Sequence, residues 1–363
     1  MNFNSVFLKS FRVLFLPFAL LYGFITIIRN FLYNKNILKS AEFNFPLICV
    51  GNLVVGGTGK SPMVEYLIEL LKPHFKIATI SRGYKRKTKG YALANQNATA
   101  LEIGDEPMQF HIKFPDVSVA VGEERIVAIP QLLHDKPDTQ AIILDDAFQH
   151  REVRAGFNIL LTQCNDLYTK DFFIPTGNLR DQRSSAKRTD IIVVTKCPVN
   201  LSEEKRSEIK DELNAKDHQQ IFFTAIEYGL PYHIVTNEKR QLCKNDEVLL
   251  VCGIANPKPL KEYLSKQVET YYQLDYSDHY IFRIDDLKEI QKKFAAINAE
   301  QKIIITTEKD AVRLLKFTEQ LRESPLYVLP VRHKFLFDEG KLFDEKVMDF
   351  VKNFKKEEEN DEL

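Results

Sequence analysis

The chain has 363 residues, 44% of them hydrophobic, which is enough for two cores and too much for one small module. Lys plus Arg and Asp plus Glu number 50 each, so no net field draws the protein to nucleic acid and any anion recognition must be local. The five cysteines are an odd number, include no CxxC pair and lie mostly in apolar runs; they read as reduced core residues, not as a disulfide framework or metal cluster.

In chain order, the first feature is the uncharged stretch from Val13 to Ile28, flanked by Lys9, Arg12 and Arg29 and preceded by Phe3, Phe7, Leu8 and Phe11. As a helix it spans roughly 24 Å at about 1.5 Å per residue, short of a ~30 Å hydrocarbon core. No small-x-small cleavage site follows it, which argues against a signal peptide. A buried core helix is one alternative; an interfacial or partly inserted membrane helix over residues 1–30 is the preferred reading.

The run from Phe45 to Val50 predicts a buried parallel strand, and Met63, Val64, Leu67, Leu70 and Leu71 recur at helical spacing behind it. Between them lies Val54-Val55-Gly56-Gly57-Thr58-Gly59-Lys60-Ser61, which reads as a phosphate cradle. Glycines let the backbone curl around an anion, and the helix start adds unpaired N–H groups and a positive dipole end. Lys60 is expected to reach the outer phosphates of a nucleotide and Ser61 to ligate Mg²⁺. The strict pattern G-x-x-x-x-G-K-[ST] asks for glycine at position 54, where this chain has Val54.

Further apolar runs, Ile77 to Ile80, Val117 to Val121, Ala141 to Leu144, Asn158 to Thr162 and Asp190 to Thr195, alternate with helix-like segments. This pattern predicts an α/β fold, a P-loop NTPase-like, mainly parallel sheet with helices on both faces and active groups at the carboxyl ends of its strands. After the first of these strands, Arg82, Lys85, Arg86, Lys87 and Lys89 form a basic loop, either simply solvated or facing a phosphate-bearing substrate or anionic headgroups. Gly104-Asp105-Glu106-Pro107 marks a turn or helix entrance and reads either as an acidic cap or as a source of catalytic acid. Asp145 and Asp146 end an apolar strand, as an acid facing Mg²⁺ or its water shell does, so Ser61, Asp145 and Asp146 make the expected metal set. Gln149, His150 and Arg151 follow directly, without an assigned role.

The segment from Ser202 to Lys216 reads as a solvated helix, and the one from Ile221 to Tyr228 as a strand leaving the first domain. A second, smaller α/β domain is expected over residues 229–350, after a first over residues 31–228, with strands at Glu247 to Gly253, Gln301 to Thr307 and Leu326 to Val331. Residues 351–363 read as a charged, disordered tail. In the second domain, Asp278-His279 lies among aromatics, where a lone histidine reads most simply as a satisfied surface or core residue; Asp105 and His279, from opposite domains, could nevertheless meet across a cleft and together accept a hydroxyl proton. For Pro175 to Arg180 and Thr306 to Asp310 local chemistry assigns no job.

Taken in order, Gly56 to Pro62, Ser81 to Tyr84, Gly104 to Pro107, Asp145 to Arg151, Asp278-His279 and Thr307 to Asp310 resemble the tetraacyldisaccharide 4′-kinase family of lipid A biosynthesis, over about residues 10 to 335. The resemblance implies a membrane-associated P-loop kinase with two α/β/α domains around a cleft. It would use ATP and Mg²⁺ to phosphorylate the 4′-hydroxyl of an acylated disaccharide 1-phosphate at the cytoplasmic face of the inner membrane. It also implies that Lys60 binds phosphate, Ser61 ligates Mg²⁺, Asp145 and Asp146 are the metal-associated pair, and Asp105 is the catalytic carboxylate with His279 pairing with it or orienting it. Four positions depart from the family pattern: Ala147 replaces Gly, Asp181-Gln182 replaces Glu-Pro, and Tyr280 replaces the second histidine of a pair. The alternatives are a P-loop GTPase-like switch, for which Thr195-Lys196 lacks the expected Asp at Pro198, and a membrane-tethered nucleotide-binding protein. Oligomeric state is left open.

Overall fold

The computed structural model describes residues 12–354. Phe3, Phe7, Leu8, Lys9 and Phe11, together with the tail at 355–363, lie outside the described residues. The apolar runs form a nine-stranded sheet in the order Val331–Phe335, Gln220–Tyr228, Ile191–Thr195, Phe157–Gln163, Leu47–Asn52, Ala141–Asp145, Ile77–Ser81, Ser118–Val121, Ala92–Leu93. Its seven inner strands are parallel, and the two edge strands run antiparallel to their neighbours. Continuous apolar runs suit strands covered on both faces, and Leu47–Asn52, Ile77–Ser81, Ala141–Asp145 and Ile191–Thr195 are buried throughout. One core layer packs Leu47, Cys49, Ile80, Leu144 and Leu160 against the helix Arg125–Asp135. The other packs Ile48, Val50, Ile143 and Ile159 against Met63, Val64, Leu67 and Phe343.

A second, five-stranded sheet has the order Tyr232–His233, Leu326–Leu329, Lys302–Thr307, Glu247–Cys252, Thr270–Asp275. It is parallel except for the short Tyr232–His233 edge and is covered on both faces by its own cores. The chain does not stay with this sheet to residue 350. The strand Val331–Phe335 pairs with Gln220–Tyr228, and the helix Gly340–Lys352 buries Phe343, Val347 and Val351 on the first sheet. The second unit is therefore an insertion between two adjacent crossings, where Gly229 N donates to Pro330 O at 3.0 Å.

The apolar segment near the N-terminus is a 19-residue helix, Leu16–Asn34, long and apolar enough by length and composition to cross a membrane. Its buried residues are Ala19, Gly23, Thr26 and Asn30, spaced four, three and four apart along one face. Most of its large apolar side chains point away from the protein: Phe18, Leu20 and Phe24 are more than 60% exposed. That polarity is the reverse of a core helix.

Candidate active site

The strand Leu47–Asn52 ends in the middle of the large sheet, where the glycine-rich loop leads into the helix Lys60–Leu71. Gly59 has φ 91°, in the left-handed region that a Cβ disfavours. The loop is tied down from inside: Asn52 Nδ2 donates to Thr58 Oγ1 at 2.9 Å, and Thr195 Oγ1, from another strand end, donates to Thr58 O at 2.8 Å. Val54 is buried, whereas Val55 is exposed and donates its N–H to Asn178 O at 2.8 Å. Lys60 Nζ donates to Asn52 Oδ1 at 3.3 Å and lies 3.6 Å from Asp146 Oδ1.

Three acids approach this loop, and each has a different partner. Asp145 is buried and accepts from Ser81 Oγ at 3.1 Å; burial first, then repulsion from Glu106 and Asp146, push its pKa up to about 7. Burial works the same way on Asp146, yet Lys60 and Arg180 outweigh it and hold that carboxyl at about 2. Arg180 Nη1 donates to Asp146 Oδ2 at 3.0 Å, and its other nitrogen reaches Asn52. Glu106 accepts from Ser61 Oγ at 3.1 Å and from Lys309 Nζ at 2.7 Å. Lys309, Lys60 and Ser61 hold its pKa below the ordinary value, against its burial.

Asp105 and Glu106 open the helix Asp105–Lys113, so neighbouring side chains diverge to two sides of the cleft. Asp105 Oδ2 accepts from His279 Nδ1 at 2.9 Å and from Arg313 Nε and Nη2 at 3.0 and 2.7 Å. Burial acts to raise its pKa, but Arg313 and His279 prevail and keep it low. His279 adopts φ 62°, and the Tyr84 ring meets it edge-on at 5.9 Å.

The structure thus brings Asp105 and His279 into contact and gathers Lys60, Asp146 and the end of the Leu47–Asn52 strand into one cluster. The Ser61 hydroxyl donates to Glu106 and not to Asp145 or Asp146, and among the described residues no group of three or more His, Cys, Asp or Glu side chains is arranged to hold a metal ion. Several partners escaped the sequence reading: Glu106, Lys309 and Arg313 as cleft-spanning groups, Arg180 on Asp146, and Asn52 and Gln149, whose Nε2 donates to Asn52 O at 2.6 Å. The Pro175 to Arg180 and Thr306 to Asp310 motifs carried the signal for Arg180 and Lys309. Arg313 had none, being one cation in an ordinary helix.

The family model for tetraacyldisaccharide-1-P 4′-kinase matches residues 11–352. A tetraacyldisaccharide 4′-kinase of Flavobacterium johnsoniae is 50% identical over 343 residues, covering 94% of this chain and 97% of its own. A kinase of the same name from Parabacteroides distasonis is 41% identical over 353 residues, covering 94% and 95%. Among solved structures, the "apo" form of LpxK from Aquifex aeolicus in complex with ATP superposes with a TM-score of 0.73 at 29% identity, covering 94% of this chain and 99% of that one. The chain belongs to the tetraacyldisaccharide-1-P 4′-kinase family.

Proposed function

We infer that this protein transfers the γ-phosphoryl group of ATP to the 4′-hydroxyl of a tetraacyldisaccharide 1-phosphate, a lipid A precursor. One observation carries the reading at the level of the site. Two consecutive residues, Asp105 and Glu106, reach respectively the imidazole of the second unit and the Ser61 hydroxyl of the phosphate loop. A proton acceptor and a phosphate cradle are thereby joined through one peptide bond. In phosphoryl transfer the protein mainly positions groups and stabilises charge. Lys60 and the loop N–H groups hold the outer phosphates, and Arg180 keeps Asp146 ionised beside Lys60. The acceptor hydroxyl gives its proton to Asp105 as its oxygen attacks the γ-phosphorus and the bond from that phosphorus to the β,γ-bridging oxygen breaks, releasing ADP. Among the described residues, the bonds on the Asp105 carboxylate fall on Oδ2, which leaves Oδ1 for the hydroxyl. His279 orients the carboxylate from the far side.

The donor set fits Mg²⁺ in the form it takes at such sites, one or two carboxylates and a hydroxyl completed by substrate phosphates and water. Asp145, held by the Ser81 hydroxyl at the end of its strand, and Ser61 at the helix start are the residues that would hold it, with Asp146 beside them. When bound, the ion neutralises charge on the phosphates.

The helix Leu16–Asn34 supports a membrane-surface location at the cytoplasmic face of the inner membrane, where ATP and the lipid meet. Tyr22 OH donates to Arg180 O at 2.9 Å and Asn30 Nδ2 to Asp181 Oδ1 at 2.6 Å, so the protein body occupies one face of the helix for more than two turns. A helix flanked in this way lies in the interface with its outer face in lipid, where a span would need about 20 lipid-surrounded residues.

The test is purified protein with ATP, Mg²⁺ and an acylated disaccharide 1-phosphate, read by mass spectrometry. One added phosphate on the lipid, dependent on Lys60, is the expected result. Nucleotide binding without turnover would instead favour a tethered sensor, and guanine preference a GTPase-like switch.

A further inference from the structure

The phosphate loop closes on the Gly59 carbonyl, and a partner of that carbonyl comes from near the other end of the chain. His333, on the returning strand Val331–Phe335, is buried; its Nε2 stands 2.9 Å from Gly59 O and its Nδ1 2.9 Å from Thr224 Oγ1. A carbonyl only accepts, so Nε2 carries the ring proton and Nδ1 accepts from the Thr224 hydroxyl. Burial pushes the His333 pKa down to about 4, with Lys196 acting in the same direction against the Gly59 carbonyl, so the ring is neutral. Contact is close on both sides: a Cβ on Gly59 would come within 3.0 Å of His333 Cε1.

We propose that His333 is a positioning residue of the nucleotide site, holding the Gly59 carbonyl inward so that the next N–H, that of Lys60, faces the phosphates. The proposal rests on the phosphate-loop reading of Val54 to Ser61. Its physical basis is the trans peptide unit, in which C=O and N–H are fixed in opposite directions. Anchoring the Gly59 carbonyl from below therefore aims the Lys60 N–H outward. The peptide before it is fixed in the same way, since Thr195 Oγ1 holds Thr58 O and so aims the Gly59 N–H. Two successive outward N–H groups make an anion-binding concavity. Gly59 O also accepts the first bond of the helix, from Met63 N at 3.2 Å. His333 fills its second lone pair and stops the peptide from tilting at the frayed end of the helix.

His333→Leu keeps the bulk and removes the donor, whereas His333→Gln offers an amide N–H to the same carbonyl. In titrations of purified protein with ATP, the Kd of H333L should rise roughly tenfold or more, the scale of one buried hydrogen bond. H333Q should return to within about threefold of wild type, and the KM for the lipid acceptor should hold constant in both. Melting curves separate this from packing: equal destabilisation of both variants with unchanged ATP affinity would overturn the proposal. If H333L does not fold, Thr224→Val removes the bond that fixes the imidazole tautomer without touching the loop, and it should give an intermediate rise in Kd; an unchanged Kd there overturns the proposal too. Wild-type protein that fails to bind ATP would overturn the phosphate-loop reading and this proposal together, whereas normal wild-type binding beside a normal H333L overturns the role of His333 alone.

Discussion

Asp105 holds its charge through three donors on one oxygen, two from Arg313 and one from His279. A carboxylate stabilised in this way is poised by geometry more than by basicity, so the pair should act as a unit. Asp105→Ala and His279→Ala should each lower kcat by about 10²–10⁴-fold with little change in ATP affinity. The double variant should be scarcely slower than the poorer single one, and multiplicative losses in steady-state kinetics would refute the coupling. A second prediction concerns Glu65, which accepts from Gln109 Nε2 and shares Lys113 with Glu308. Burial and then Glu308 push the Glu65 pKa up to about 7 against the pull of Lys113. The folded state thus holds this proton more tightly than the unfolded chain, and stability from this group falls as pH rises from about 4.5 to 7. Glu65→Gln should flatten that slope, gaining melting temperature relative to wild type at pH 8 but not at pH 4.5. Lys60, Ser61, Asp105 and the Asp145-Asp146 pair were legible in the sequence because short motifs name them. Glu65, Arg313 and His333 were not, since each matters through a partner more than thirty residues away in the chain.

At the scale of elements, the helix Leu16–Asn34 shows what a hydropathy reading omits. Absence of charge identified the segment, but the informative pattern is the stripe Ala19, Gly23, Thr26 and Asn30, whose small or polar side chains let the helix sit close to the loops at Arg151 and Arg180. Gly23 faces Phe173 so closely that a Cβ would lie 2.6 Å from its ring. The outward face can then be changed without disturbing the docking. Replacing Phe18, Leu21, Phe24 and Ile25 with Ser should reduce vesicle binding by more than 100-fold, since each buried side chain contributes about 1.5–3 kcal/mol. The same variant should raise the KM for the lipid and leave the Kd for ATP near wild type. Unaltered sedimentation with vesicles would show that lipid contact lies elsewhere. The strands were legible through their unbroken apolar runs, whereas the separate edge strand Val331–Phe335 was not, because nothing in its side chains names Gln220–Tyr228 as its neighbour.

At the scale of the whole molecule, one short helix, Glu308–Leu314, spans the cleft. Glu308 meets Lys113, Lys309 meets Glu106 and Arg313 meets Asp105. Lys309→Met should loosen this closure, lowering kcat/KM roughly tenfold, the equivalent of about 1.4 kcal/mol, and raising the radius of gyration of the free protein in solution scattering. A compact profile identical to wild type would place Lys309 outside the closing contacts. Two α/β units were foreseeable from the alternation of strands and helices, but their nesting was not, because it depends on where the chain returns.

That return fixes how the units can move. Two neighbouring strands leave and re-enter the large sheet at Gly229 and Pro330, bonded to each other, like two leaves on a single pin. A lone linker leaves a smaller unit free to swivel and drift, whereas a paired one favours swing about one line. A swing of the smaller unit about that line would carry His279 to and from Asp105 along one arc, so two groups on separate sheets keep the registration of groups built on a single frame.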